Sequence, residues 1–559
     1  VSESADGVRY LIRGVSSINS STEPLFIVDG IAMTRQQMEK MVNPNDVESV
    51  NFLKDATAAS IWGAQAANGV IVITTKTGKS SEKLTVGYNG SFTWKGKPNY
   101  SYMDMMTSAD FVKSSAEVFD PQTYKWKDIN NTLYGVAGGN YPVVYPHEDA
   151  MYKYYLGEIS LDQRDAILSR LATADGRKEY EKYFMSNSYI TNHSVSFSGG
   201  NEKGISYSSI EYQCEQGAYT DPADDYKFYF RDVFKFAKWA TLDVSLSAYY
   251  TKTKSHSATS LLSLPYITYF DENGAELSLT DYIMTSASRK KVEDITGISL
   301  AYNGVSDYKN NVTESKTMGA NANAGLTSKF TPGLNDEGRF QYSLTKGGAE
   351  AFIPADSYFV REERSQGTDI NGVQYLPTSG GHFTISDEAS SSYTIRNQLN
   401  INLSVGENNN HNFTALAGFE MRDRLSGSHS SFMRGYDKQT MQHIPYNDYL
   451  LSTEGVYRPA LPSFFSATSN FFDPNQYTQT EIDYRFVSVY ANGAYTLMDK
   501  YSLNASIRVE PLRQRPFSAV QADMVCRSYL ECGQRAFYAG HLVGQIQCQG
   551  QFRICRKLT

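Results

Sequence analysis

Few groupings of residues in this chain could do chemistry. His147-Glu148-Asp149 sets an imidazole beside two carboxylates, the side chains from which zinc sites and acid–base pairs are built. A zinc-binding H-E-x-x-H needs a second histidine one helical turn on, and none follows here. Asp221, Asp224 and Asp225, around Pro222, offer the hard oxygen ligands that Ca²⁺ takes. They lack the spaced loop and glycine turn of an EF-hand and read as a charge cluster in a hairpin loop. Four of the five cysteines (Cys526, Cys532, Cys548, Cys555) fall in the last 34 residues, and the first two have five residues between them, outside zinc-finger spacing. Neither a glycine-rich phosphate loop nor a nucleophile elbow occurs. No catalytic, cofactor or metal site is expected, and the chain does not read as an enzyme. A net charge of −8 over 559 residues also lacks the basic face that a nucleic acid needs.

The elements that must position these residues are mostly strands. From Lys83 onward the chain alternates with a period of two. Leu84, Val86, Tyr88, Phe92 and Trp94 share one face, while Lys83, Thr85, Asn89 and Thr93 share the other. Leu242, Val244, Leu246, Ala248 and Tyr250 repeat the pattern against Thr241, Asp243, Ser245 and Ser247. Eleven such strands are predicted, over 83–94, 189–198, 204–213, 226–238, 241–252, 316–330, 338–346, 392–404, 411–422, 483–497 and 500–508. Most exceed the ~5–6 residues of an average soluble strand and suffice for the ~9–11 that cross a bilayer at a tilt. Long connections (95–188, 214–225, 253–315, 347–391, 423–482) alternate with short ones (199–203, 239–240, 331–337, 405–410, 498–499). That asymmetry is typical of outer-membrane barrels, which have short periplasmic turns and long outer loops. One segment fits less well: the row Phe228, Phe230, Phe234, Phe236 is interrupted by Asp232, which implies an interfacial position or a slipped register.

The first 80 residues differ, and read as mixed α/β. Leu25–Val28 is a strand stopped by Asp29-Gly30; Val47–Lys54 is another; Asp55 caps a short helix over Ala56–Trp62, with Gly63 as its stop; Asn68-Gly69 turns the chain into the strand Val70–Thr75. Pro24–Gly30, Asn43-Pro44-Asn45-Asp46-Val47, Leu53-Lys54-Asp55-Ala56, Ile61-Trp62-Gly63 and Ala67–Lys76 follow one another at tight spacing. In that order they closely resemble the plug domain of the SusC/RagA family of TonB-linked outer-membrane transporters of Bacteroidetes. The likeness covers residues 9–79; the barrel stretches, such as His411–Glu420 and Tyr495–Ser506, are similar more diffusely.

The resemblance implies a mainly β fold: a transmembrane antiparallel barrel of about 22 strands, roughly half of it present here, with an N-terminal α/β plug fragment. Expected domains are a plug piece over 1–80, the first half of the barrel with long extracellular loops over 81–508, and an aberrant tail over 509–559. Residues 508–559 carry a net +5 and the alternation is lost from Val509, so we expect the chain from about residue 509 to come from a shifted reading frame. The implied activity is TonB-dependent import of glycans, oligosaccharides or peptides across the outer membrane. Implied partners are a SusD-like surface lipoprotein, the TonB complex and outer-membrane lipid, with no nucleic acid. The start, Val-Ser-Glu-Ser-Ala-Asp, shows no signal peptide. Half a barrel has two open edges, so the piece is not expected to transport alone. Siderophore or cobalamin receptors share the architecture but lack this run of plug motifs. A surface glycan-binding β-protein, the other alternative, needs no plug.

Within the plug, Asp29, Gly30, Asn43, Pro44, Asp46, Lys54, Asp55, Gly63, Asn68 and Gly69 stand out. They admit two readings: contacts to the substrate or contacts that transmit the pull of TonB on one side, and turns, caps and packing on the other, with Gly30, Gly63 and Gly69 suited to positive φ and Asp55 to a cap. Tyr152, Tyr154, Tyr155, Phe464 and Phe465, in long connections, could stack on sugar rings or simply pack.

Overall fold

The computed structural model describes residues 2–4, 7–9, 23–53, 68–80, 83–100, 105–121, 144–256, 264–406, 410–463, 468–473, 477–498, 501–515, 524–526, 529–532 and 535–536. The helix expected over 56–62, together with Lys54, Asp55, Gly63, Phe464 and Phe465, lies outside them.

The plug is a small sheet of four strands, β1 (Leu25–Val28), β2 (Ile31–Met33), β3 (Val47–Leu53) and β4 (Val70–Thr75), in the order β2-β1-β4-β3. β1 and β2 form a hairpin across Asp29 (φ 49°) and Gly30 (φ 85°), the two left-handed residues that a type I′ turn requires. β1 lies parallel to β4 and β3 antiparallel to it. Helix α1 (Arg35–Met41) starts at a capping box in which the Thr34 hydroxyl accepts from the Gln37 amide and the Gln37 side chain accepts from the Thr34 amide. Phe26, Val28, Ile71 and Ile73 form one buried face.

Eleven long strands follow, β5 (Thr85–Lys95), β6 (Ser188–Gly200), β7 (Gly204–Gln216), β8 (Ala223–Ala237), β9 (Ala240–His256), β10 (Val312–Thr331), β11 (Leu334–Ile353), β12 (Gly381–Val405), β13 (His411–Asp437), β14 (Tyr477–Leu497) and β15 (Tyr501–Arg515). Each pairs antiparallel with the next in sequence, which makes a single up-and-down sheet. Among the described residues β5 pairs only with β6, and the sheet does not close. The eleven expected strands correspond one to one with these.

Several strands are longer than expected at the end where the long connections lie. The segment expected to end at 422 runs to Asp437, and the one expected to begin at 392 begins at Gly381. The physical reason is visible in Ser426-Gly427-Ser428-His429-Ser430-Ser431. Where a strand stands clear of the bilayer both faces are wet, so the apolar row that marks a strand in the sequence disappears. Asp232 does not mark a slipped register. It pairs with Ser206 on β7 and Val244 on β9, on the outward row with Phe230 and Phe234, and the β8–β9 register shifts only further on, between Lys235 and Ala237.

Burial along the wall is inverted relative to a water-soluble protein. Val86, Tyr88, Phe92, Ile210, Leu246, Met318, Phe340, Leu344, Phe419 and Val489 are exposed on one face. Ser194, Ser209, Glu211, Arg231, Ser245, Asn321, Gln341, Glu420 and Ser488 are buried on the other. A polar face is buried only where polar partners meet it, and here the partners are the plug, which meets Ser194, Ser209 and Arg231, and the wall itself, where Gln341 donates to Asn321 and Arg422 pairs with Glu420. The four longer connections pack together by a conventional apolar core, in which Val112, Phe184, Tyr266, Leu300, Tyr302 and Tyr358 are buried. Six helices flank or supply it: α2 (Ser108–Glu117), α3 (Pro146–Tyr155), α4 (Leu161–Thr173), α5 (Gly176–Phe184), α6 (Ser286–Thr296) and α7 (Gly304–Asn310), with α8 (Tyr358–Gln366) from the next connection. Their 3.6-residue periodicity was obscured in the sequence by the many tyrosines and charges.

Candidate functional site: the plug–wall interface

Two turns of the plug meet the inner face of the wall. The first is Asp29-Gly30. The Asp29 carboxylate accepts from the Thr75 amide (3.0 Å) and hydroxyl (2.6 Å), tying the hairpin to the end of β4. Arg231, on the inward row of β8, reaches Asp29 Oδ1 through Nη1 at 3.0 Å and is held from behind by Asp243 of β9 at 2.7 Å. The same Nη1 donates to the Thr75 hydroxyl at 2.9 Å, and that hydroxyl lies 2.6 Å from the Tyr229 hydroxyl. Arg339 of β11 donates to the Asp29 carbonyl at 2.6 Å, and Arg396 of β12 to the Gly30 carbonyl at 3.4 Å. A Cβ at residue 30 would stand 3.2 Å from Arg339 Nε, so glycine serves both the positive φ and the close approach of the guanidinium.

The second is the 3₁₀ turn Pro44–Asp46. Asn43 caps it, its Oδ1 accepting from the Asn45 amide at 2.8 Å, while its Nδ2 donates to Ser194 of β6 at 3.1 Å. Pro44 occupies the first helical position, where no amide hydrogen is needed. Asp46 is 2% exposed and accepts from the Tyr207 hydroxyl (2.7 Å) and the Ser209 hydroxyl (2.5 Å) of β7. Burial pushes its carboxyl above the ordinary range, an effect that the two hydroxyl donors oppose. Next to it, Lys76 Nζ donates to the Asn45 carbonyl at 2.7 Å, and Asn89 of β5 bonds the Asn45 side chain at 2.5 Å. Gly78, where the chain leaves the plug, lies so close to β7 that a Cβ would stand 2.4 Å from the Ser206 nitrogen.

Of the plug residues singled out in the sequence, Asp29, Gly30, Asn43 and Asp46 thus touch the wall. Asn68 and Gly69 instead close the plug on itself: Asn68 donates to the Glu23 carbonyl at 3.3 Å, and Gly69, at φ 94°, accepts from the Leu25 amide at 3.0 Å. The wall partners Tyr207, Tyr229, Arg231, Arg339 and Arg396 carried no motif. Their only signal was a charged or phenolic side chain on the polar row of an alternating strand.

The remaining candidates disperse. His147 is buried against Tyr266, its Nδ1 2.6 Å from the hydroxyl, and burial lowers the imidazole to about 4, so it packs as a neutral ring. Glu148 accepts from the Tyr145 amide, and Asp149 pairs with Lys153. Asp221 pairs with His256, while Asp224 accepts from Tyr212 and Asp225 from Thr251. Tyr152 is buried against Phe119, Tyr154 lies under Arg164, and Tyr155 is exposed. On α8, burial pushes the Glu363 carboxyl up, but hydrogen bonds from His382 and Arg434 overcome this and hold it down at about 2.

A sheet that is oily outside and polar inside, with a small α/β domain bolted to its polar face, is the architecture of a plugged outer-membrane β-barrel receptor. Residues 2–70 match the TonB-dependent Receptor Plug Domain family. A stretch of 94 residues, 16% of this chain, is 45% identical to TonB-dependent receptor SusC of Bacteroides thetaiotaomicron and covers 9% of it. Another of 202 residues, 36% of this chain, is 29% identical to TonB-dependent receptor P26 of Formosa agariphila and covers 18% of that protein. Among solved structures, the RagAB peptide importer aligns over 93% of this chain and 52% of its own, at 20% identity and a TM-score of 0.63, a likeness of fold. The chain is SusC/RagA-like, similar to the TonB-dependent receptors in its plug sequence and in the fold of its wall, and it spans about half the length of the solved relative.

Proposed function

We propose that the complete protein imports large nutrients, oligosaccharides or peptides, across the outer membrane by TonB-dependent displacement of the plug. The observation that carries this reading is the inverted wall: its apolar face is exposed, and its polar face is turned inward, where it meets the plug and its own polar neighbours. A wall of this kind makes a wet passage as soon as the plug shifts. The joint is suited to opening because it is built of hydrogen bonds and ion pairs, which water can replace, rather than of an interlocked apolar core. Asp29, Gly30, Asn43 and Asp46 are the contacts that break when the plug moves. A SusD-like lipoprotein captures cargo above the outer loops, the TonB complex supplies the work, and no chemical change of the cargo is involved. RagAB is described as a peptide importer, and SusC as a TonB-dependent receptor; both support this assignment.

The test is uptake by cells carrying the complete receptor of fluorescein-labelled maltoheptaose and of a labelled decapeptide, with and without TonB. Uptake of either that is lost without TonB is the expected result. Uptake that persists without TonB overturns the reading.

A further inference from the structure

We propose that Arg231, Arg339 and Arg396 form a carboxylate-recognition station on the inner wall, occupied in the closed protein by the Asp29-Gly30 turn and taken over by acidic groups of the cargo when that turn leaves. This deepens the import reading and rests on it.

Three observations lead there. Arginines from three different strands converge on one two-residue turn and bind three different acceptors: the Asp29 carboxylate, the Asp29 carbonyl and the Gly30 carbonyl. A guanidinium has five donors and no acceptor, so whatever replaces the turn must present oxygens, best of all a carboxylate in a fork-to-fork pair. Secondly, Arg339 and Arg396 stand directly opposite each other in the ladder between β11 and β12. Like charges placed so destabilise a pair of strands, so the sheet's own stability does not account for this placement; an acceptor-rich partner in front of them does. Thirdly, the surrounding inward rows are biased. Five guanidinium groups (Arg231, Arg339, Arg396, Arg422, Arg508) face three wall carboxylates (Asp243, Glu337, Glu420), and Asp29 is the fourth carboxylate of the closed state. Withdrawing the plug turn takes one negative charge away and leaves this cluster two charges positive. Beside the station Tyr490 offers an aromatic face, with the Arg396 guanidinium 5.3 Å from the ring centroid, and Gln398 offers an amide within 2.8 Å of the same arginine.

The shared chemistry is a carboxylate on an oligomer, which an acidic sugar and an acidic peptide both carry. The experiment is hydrogen–deuterium exchange of residues 25–33 in the full chain in detergent micelles, with trigalacturonate, tri-aspartate or maltotriose added. An acid competing for the arginines raises opening of the turn about fivefold when present at about four times its Kd, and maltotriose leaves it unchanged. Which acid acts identifies the source of the carboxylate. In Arg339→Gln the basal exchange rises and the response to acid disappears; Arg396→Gln repeats the test should the first variant not fold. A merely structural arginine raises the basal rate but produces no discrimination between acid and neutral probes. No response to either acid, an equal response to all three, or an undiminished response in both variants overturns the proposal. A receptor that imports labelled maltoheptaose in a TonB-dependent way while its plug turn ignores both acids overturns this inference alone and leaves the import reading standing.

Discussion

The two faces of the wall bury and expose opposite things. Outward, Leu242, Val244, Leu246 and Ala248 run along β9 in a row; inward, Asp243, Ser245 and Ser247 alternate with them and meet neighbouring polar groups. The same strand therefore has two solvents, lipid on one side and a polar stopper on the other. The difference teaches that a single charge has opposite value on the two faces. Removing one from the inner face opens a joint, and adding one to the outer face expels the strand from the bilayer.

Arg231→Leu breaks the comparison hardest on the inner side. It leaves Asp29 and Asp243 facing each other without the cation between them, and loss of one partner of a buried ion pair costs about 3–5 kcal/mol. Urea titration with limited proteolysis as the readout should show the plug, residues 23–80, cut well before the wall unfolds. Equal protection in the variant would mean that the Asp29 turn does not hold the plug.

Leu246→Arg tests the outer side. Leu246 is 39% exposed in the centre of its row, and on a water-soluble surface such a change stays within about 0.5 kcal/mol. Facing hydrocarbon near the midplane it costs about 2–4 kcal/mol. Folding into phosphatidylcholine vesicles across a urea series separates the two, and an effect near zero would remove lipid from that face.

What the sequence makes legible follows from the same contrast. The eleven strands could be read because lipid imposes a strict two-residue rhythm on β9, β10 and the others. The rhythm fails where strands rise clear of the membrane, so the outer parts of β12 and β13 were read as loops. The plug turn Asp29-Gly30 was legible because only a left-handed pair stops a β-branched strand so abruptly. Its wall partners were not, since Arg231 and Asp29 are 202 positions apart and no local pattern records that they meet. The outer helices were missed for a related reason: their apolar residues, such as Phe184, Val292 and Tyr358, belong to different connections and make one core only when assembled.

Asn43→Ala gives a smaller loss, about 1 kcal/mol, typical of a removed cap. It deletes both the bond to the Asn45 amide and the one to Ser194, whereas Asn43→Ser restores the cap alone. If the two variants release the plug at the same urea concentration, the contact to Ser194 contributes and the cap does not; if Asn43→Ser recovers the parent midpoint, the reverse holds.

The smallest effect is a slope rather than a step. The folded carboxyl of Asp46 sits above its unfolded value because burial in a site whose donors are neutral hydroxyls disfavours the charged form. In that window the folded state binds more protons than the unfolded state, so stability falls as pH rises. The groups facing the carboxyl are Tyr207, Ser209 and Glu211 from the wall and Lys76 from the plug, and Glu211 works in the same direction as burial. The plug joint is therefore firmest below the ordinary aspartate range and loosens as pH passes through the raised value. Asp46→Asn keeps an oxygen for the two hydroxyls and cannot ionise, so its plug-release midpoint should lose this part of the pH dependence while matching the parent in acid. Asp29 faces the Arg231 guanidinium instead, so Asp29→Asn removes an ion pair and is expected to weaken the joint. A pH slope that is lost in Asp46→Asn and kept in Asp29→Asn would establish that the two anchors hold the plug separately; loss of the slope in both would make them one unit.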